Sequence, residues 1–546
     1  MRRKLGFFMF LLFSMLLFSP NVLATKDFNP RIIEDAKKVW SIQFNLPFDK
    51  DSVNEETIRI TNSKHESIEI NVNVKNETIV EVIPINEYIQ DEIYTLTITT
   101  NVQSKNGKSL KEAVTLDFML KEVEPLSCNK ISNEVVNINE ERLEQAIRET
   151  LQKPKGDIKV GDMCSITELN IVGNIEFNGE NGEINKYGIN DVSALKYAKN
   201  LSKLNLSSNL ITDISALGEL SHLKYLDLGD NLISDMTVLS NLKNLETLIL
   251  SSNPISDLSA LNSLMNLKTL DLGYNGITNI NALSDLKNLE NLDLGYTFSI
   301  SDLSSLSELT NLKYLNLSAS HKIRNIAPLS NLKNLETLIL SSNPIGDLSA
   351  LNSLMNLKTL DLAFTSISDI TSLNGLTSLK TLDLSFNSIN DLNPLVGLNN
   401  LNTLNLSYNA SLNNINISIL NKLTSLETLH LSDTSISDLS VLSKLTNLRE
   451  LYLGGNKFLK DISPLSGLTN LKILSLGFNS QLSDISALSS LTHLENLYLM
   501  NNIISDINAL NSLTNLKVLS IYNNKLNLES KEIIENLRAK GVTVNP

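Results

Sequence analysis

The chain has 546 residues, 42% of them hydrophobic and 19% charged, a globular balance that excludes bulk disorder and a polytopic membrane protein. Its 46 basic and 60 acidic residues give a net charge of −14. The first 24 residues hold three basic and no acidic ones, so the rest carries 43 against 60, a net −17 that argues against nucleic acid as a partner.

Residues 1–24 read as an export signal. Arg2, Arg3 and Lys4 open it and an apolar run of about 14 residues follows, short of the ~20 that span a bilayer. Ser19 and Pro20 break the run, and Val22 and Ala24 sit at the −3 and −1 positions of a cleavage site. The mature chain is therefore expected to start at Thr25 and to carry no integral membrane span. No Cys follows the apolar run and no sorting signal is visible at the C-terminus, so a secreted, extracellular or loosely wall-associated protein is expected, exported in the Gram-positive manner. Residues 25–37 are read as a lead.

Residues 38–122 alternate with period two, as in Trp40-x-Ile42-x-Phe44, Ile68-x-Ile70-x-Val72-x-Val74 and Tyr94-x-Leu96-x-Ile98. Further strands are predicted at 57–61, 79–83 and 114–118, with a tight turn at Asn106-Gly107. Short strands at spacings near ten residues make an all-β sandwich. With Asn45-Leu46-Pro47-Phe48-Asp49, Pro84-x₃-Tyr88 and Asn106-Gly107-Lys108-x-Leu110, the stretch resembles the bacterial Ig-like domains of the SbsA type. The resemblance implies a spacer or wall-proximal module, with Trp40 as a core ring.

Residues 123–138 form a linker, and 139–200 hold an N-terminal cap and a degenerate first repeat at Ile166-x-x-Leu169-x-Ile171-x-x-Asn174. From 201 to 515 the unit Leu-x-x-Leu-x-Leu-x-x-Asn-x-Ile recurs, and 516–546 hold the last repeat and a C-terminal cap. Units start at Leu201, Leu223, Leu245 and onward to Leu516, nine of the fourteen intervals being 22 residues, four 23 and one 25. A fixed period of this length with so many apolar positions specifies a leucine-rich-repeat solenoid of α/β class. The x-Leu-x-Leu-x segment supplies a parallel strand, its leucines inward and its x residues on the concave face. The following Asn (Asn209, Asn231, Asn253, Asn275) bonds the backbone of its own and the neighbouring turn. Thr297, Ser320, Thr365 and Thr434 replace it, and weakening is expected there. Asp235, Asp257, Asp302 and Asp438 are read as caps of short convex 3₁₀ segments.

The stretch 139–151 has helical apolar spacing and is predicted as a lid on the first strand, as is 530–538 on the last. A final strand is predicted at Val542-Thr543-Val544, and with it the chain end is expected to be a natural one. The 22-residue period and the Asp-Ile-Ser-x-Leu convex segment resemble the internalin-type repeats of secreted Gram-positive proteins. That resemblance implies a binding module, although here the Ig-like domain precedes the repeats and no wall-sorting tail is present. Residues 239–272 and 329–362 are identical except for Ser256 against Gly346, the mark of a duplicated four-repeat block. Cys128 and Cys164 flank the first cap, and export permits a bridge between them, the alternative being two buried reduced thiols.

Function is expected on the concave face. Its central column includes Asp227, Asp271, Asp293, Asp361 and Asp383, continuing to His430, Tyr452 and Tyr498, and the next column includes Tyr274, Tyr296, Phe364, Phe386, Tyr408 and Phe478. Exposed rings beside carboxylates fit a protein partner with a basic surface, or a glycan. The five histidines are scattered, no catalytic motif occurs, and no metal or other cofactor is implied. The reading is a monomeric binding protein and not an enzyme. The alternative is a structural cell-envelope or S-layer-associated component with the repeats as scaffold.

Overall fold

A computed structural model describes residues 31–33, 36–44, 46–90, 92–110, 112–120, 128, 133–178 and 183–545. The expected export signal lies outside the described residues. The chain divides into two units, 1–126 and 127–546. No helix among the described residues is long and apolar enough to cross a membrane.

In the first unit, seven strands form two sheets: β1 (Arg31–Ile33), β2 (Trp40–Gln43), β3 (Ile58–Thr61), β4 (Ile70–Val74), β5 (Ile79–Pro84), β6 (Ile93–Ile98) and β7 (Val114–Leu120). The sheet orders are β1-β7-β6-β3 and β2-β5-β4. Alternating residues of both sheets face inward, and the Phe118 ring lies 4.7 Å from that of Trp40, 5.0 Å from Tyr88 and 5.6 Å from Tyr94. Trp40 is thus a buried core ring. One correction concerns the lead: β1 lies inside 25–37 and pairs in parallel with β7. Three residues are too few to display a period of two, so the sequence pattern could not mark this strand.

The second unit is a parallel sheet of seventeen strands. It runs from β8 (Glu168–Asn170) through fifteen consecutive strands, β11 (Lys203–Asn205) to β25 (Val518–Ser520), and ends on β26 (Thr543–Asn545). Each strand is three residues long with its central apolar residue buried, because outward residues precede and follow that inward one. Burying each Leu stabilises by ~1.5–3 kcal/mol. No unit encloses these side chains alone, so the leucines of successive turns form one continuous core. β8 and β26 are not paired with each other, which leaves two edges. Helix α1 (Glu141–Thr150) covers the first with Leu143 and Ile147, and α3 (Glu529–Ala539) covers the last with Ile533, Ile534 and Leu537.

The convex segments are short 3₁₀ turns in most of which a preceding Asp accepts the N–H two residues on, as in Asp235 from Thr237 at 2.9 Å and Asp302 from Ser304 at 2.9 Å, with Asn279 and Asn325 doing the same at two others. Inside the turns, Asn231 Nδ2 donates to Leu228 O at 3.0 Å and, across to the preceding turn, to Leu206 O at 2.9 Å. Thr297 and Thr365 bond the carbonyl of their own turn and a polar side chain of the following one, Ser320 at 3.3 Å and Asn387 at 3.2 Å, so what is lost where a hydroxyl replaces the amide is the bond to the preceding turn's carbonyl. A second amide ladder, not anticipated from sequence, uses the Asn that most repeats carry just before their first Leu. Asn244 donates to Ser221 O, Asn356 to Lys333 O and Asn447 to Thr424 O, each at 2.9 Å. Two further elements were missed: α2 (Val160–Cys164) and, after the degenerate first repeat, a hairpin of β9 (Asn174–Asn178) and β10 (Glu183–Tyr187). The sulfurs of Cys128 and Cys164 are bonded in the structure, with the Cα atoms 5.7 Å apart.

Candidate functional site

Strand register places the central concave column in line, Asp271 opposite Asp293 and Asp361 opposite Asp383. Neighbours lie about one strand spacing apart, ~4.8 Å. Each Asp is half-buried and commits one oxygen to its own turn. Asp271 accepts from Gly273 N at 3.0 Å, Asp293 from Gly295 N at 2.8 Å, Asp361 from Ala363 N at 2.9 Å and Asp383 from Ser385 N at 2.8 Å. The next residue is the ring-bearing one in every case. The acidic column therefore shapes the turns that carry the aromatic column.

That aromatic column has a backbone property the sequence did not show. Tyr274, Tyr296, Phe364, Phe386, Tyr408 and Phe478 all have φ between 55° and 63°. The left-handed region suits Gly and Asn, and bulky side chains occupy it at a cost of roughly 1–2 kcal/mol. The same position elsewhere in the array is filled by Ser208, Asp230, Asn501 and Asn523. Rings are thus held where small polar residues are cheaper. They are also outside the leucine core, with Tyr274 55%, Phe364 53% and Phe478 55% exposed.

The rings stack in two separate groups. Tyr274 and Tyr296 lie face to face at 4.3 Å, and Phe364, Phe386 and Tyr408 form a second stack at 3.9 and 4.0 Å. Ala319 and Ser342 occupy the two repeats between them, so the column is not a continuous patch. Phe298, absent from the sequence reading, extends the first group at 6.3 Å from Tyr296, with His321 a further 5.7 Å away. The available signal was repeat length, because Phe298 and His321 each follow a ladder substitution, Thr297 and Ser320, in a 23-residue repeat.

Other expected site residues fall apart from these stacks. Asp227 lies two strands before Asp271. Tyr452 stacks on His430 at 4.2 Å in the central column and donates to Glu450 at 3.1 Å. Burial, followed by Glu450, pushes its phenol up to about 12. Tyr498 shares that column beyond Ser475, and Phe478 has no ring partner among the described residues. Burial raises the carboxyls of Asp227, Asp271 and Asp361 above the usual Asp range, opposed by the backbone N–H each accepts. No group of His, Cys, Asp or Glu among the described residues is placed to hold a metal ion.

A model for a bacterial Ig-like domain matches residues 34–119. Leucine-rich-repeat models match 199–241, 243–287, 287–331, 333–375, 424–467, 446–490 and 469–512, with a further one at 375–392. No curated protein matches the chain. Among solved structures, an internalin (inlF) of Listeria monocytogenes is 31% identical over 73% of this chain and 97% of its own, with a TM-score of 0.49. A leucine-rich-repeat protein of Leptospira interrogans is 24% identical over 76% of this chain and all of its own, with a TM-score of 0.55. The functional domain of InlJ of Listeria monocytogenes, described as including a cysteine ladder, is 21% identical over 72% and 77% with a TM-score of 0.52. The last two likenesses speak for the fold alone, whereas the repeat and Ig-like matches speak for kinship. The chain belongs to the internalin-like leucine-rich-repeat proteins, a class of binding proteins, and carries a bacterial Ig-like domain ahead of its repeats.

Proposed function

We propose that this protein is exported, acts as a monomer and binds a protein partner with a basic surface through the two ring groups of the concave face. The observation that carries the reading is the set of exposed aromatic residues in left-handed backbone. Packing does not require them there, and small polar residues fill the position at lower cost elsewhere in the array. The carboxylates beneath add negative potential, which favours Lys or Arg near apolar groups through ion pairs and cation–π contacts. The −17 net charge of the chain after residue 24 points the same way.

The test is a peptide array of cationic-apolar, neutral and acidic sequences, run beside a glycan array. Cationic-apolar peptides should be retained, and raising salt from about 0.05 to 0.3 M should weaken them because exposed charges are screened over ~10 Å. Replacing Tyr274, Tyr296, Phe364 and Phe386 by Ala should remove that binding with little loss of stability. If the four-fold variant binds as the parent does, the concave assignment fails. Self-association that survives in that variant would instead favour the cell-envelope scaffold. Export predicts that secreted material begins at Thr25, and N-terminal sequencing that finds Met1 would overturn it.

A further inference from the structure

The opposite border of the sheet carries a second column, one residue ahead of each strand. From Lys224 to Lys358 it alternates Lys and Glu, and the alternation neutralises itself: Lys268–Glu246 at 2.8 Å, Lys313–Glu290 at 2.7 Å and Lys358–Glu336 at 2.7 Å. The rule then breaks twice. Lys380 follows Lys358, its N–H bonded to the Lys358 carbonyl at 2.8 Å, and it has no ion-pair partner among the described residues. Further along, Lys472 adjoins Arg449 in the same way. Like charges on adjacent strands destabilise a sheet; Arg449 is met by Glu427 at 3.2 Å and Lys472 by Glu495 at 3.4 Å, whereas Lys380 is met by no carboxylate among the described residues.

Between the two breaks both border columns shorten. Asn402 replaces a long charged side chain, and Ser425 replaces the ladder amide. The result is a cleft of about 590 Å³, within the ~300–1,000 Å³ of small-ligand sites. One wall carries Lys380, Arg449 and Lys472, with Glu427 as the single carboxylate, paired to Arg449 at 3.2 Å. The other wall carries Asn400, Asn447 and Asn470, whose Nδ2 atoms are engaged on carbonyls of the preceding turn at 2.9 Å. Their Oδ1 atoms make no hydrogen bond among the described residues and stand as acceptors. A free sulfate ion accepts only and would leave those oxygens without donors. Donors facing acceptors fit a molecule with both anionic groups and hydroxyls.

We propose that this cleft binds an acidic oligosaccharide, its carboxylate or sulfate groups on Lys380, Arg449 and Lys472 and its hydroxyls on the amide oxygens. The site is separate from the aromatic column and opposite in charge, so it stands or falls independently of it. Calorimetry of the full mature chain should use four probes: a glucuronate-bearing tetrasaccharide, its sulfated form, the same sugar with its carboxyls reduced to alcohols, and inorganic sulfate. At least one acidic form should bind ten-fold or more tighter than the reduced sugar, and which one distinguishes carboxylate from sulfate recognition. Ser425→Asn restores the residue most other repeats carry and fills the cleft, and Lys380→Ala removes the unpaired cation. Each should weaken binding at least ten-fold without lowering the melting temperature, while Tyr274→Ala with Phe386→Ala should leave binding intact. Equal binding of the reduced sugar, equal binding of inorganic sulfate, indifference to both variants, or no binding by either acidic form would overturn the proposal.

Discussion

At Phe478 the φ angle is 63°, whereas the next two residues of the same column, Asn501 and Asn523, hold φ of 58° and 55° with a side chain suited to that region. Phe478→Asn is therefore expected to raise stability by about 1 kcal/mol, since the ring there stacks on no other and only backbone cost is removed. Phe386→Asn is different. It deletes ring contacts at 3.9 and 4.0 Å, each worth about 0.5–1.5 kcal/mol, which offsets the backbone gain. Urea denaturation of both variants checks the pair, and a Phe478→Asn protein weaker than the parent would show that the ring packs against the array.

At the scale of elements, most convex turns are tied to an Asp carboxylate, with Asn279 and Asn325 in its place at two others. The N–H of the residue two on, and then that residue's hydroxyl, hold Asp235, Asp302, Asp347 and Asp461 below the usual carboxylate range. A lowered folded value means stability that is present above the unfolded Asp value of about 3.9 and lost as pH falls through the folded one. Asp227, Asp271 and Asp361, raised by burial, work in the other direction: their contribution is full below about 3.9 and is lost as pH rises through their folded values. The melting temperature should thus fall steeply only below about pH 4. Asn at positions 235, 302 and 461 keeps an acceptor that does not titrate there, so that triple variant should show a shallower acid slope. An identical slope would remove the convex Asp residues from the account.

For the whole molecule, a solenoid is as stable as its ends allow, because each inner turn borrows its core from two neighbours. The first turn has α1 above it, and the bond between Cys128 and Cys164 closes a 36-residue separation around that cap. Closing such a loop is worth about 2–4 kcal/mol. Reduced protein, or Cys128→Ser with Cys164→Ser, is expected to lose amide-exchange protection first in the strands nearest β8, with those nearest β26 unaffected. Unfolded, unreduced protein should titrate no free thiol. Two titratable thiols would sink the idea.

Much of this architecture was legible in the chain itself. A Leu every 22 residues states its own period, so strand positions, inward and outward faces and the columns of Asp and aromatic residues follow from counting. The alternation around Trp40, Tyr94 and Leu96 likewise marks a sandwich. What counting does not reach is anything set by the turn next door. The left-handed backbone at Tyr274 and Phe386 exists because the chain must leave one strand and clear the neighbouring turn, and no local propensity of Tyr or Phe announces it. The division of the rings into two stacks and the cleft beside Ser425 depend on which side chains stand one repeat away. β1 belongs here too, since three residues become a strand only when β7 lies alongside. Period is a property of the chain. Neighbours across ~4.8 Å are a property of the stacked turns, and they alone decided which surface side chains the scaffold engages and which it leaves exposed.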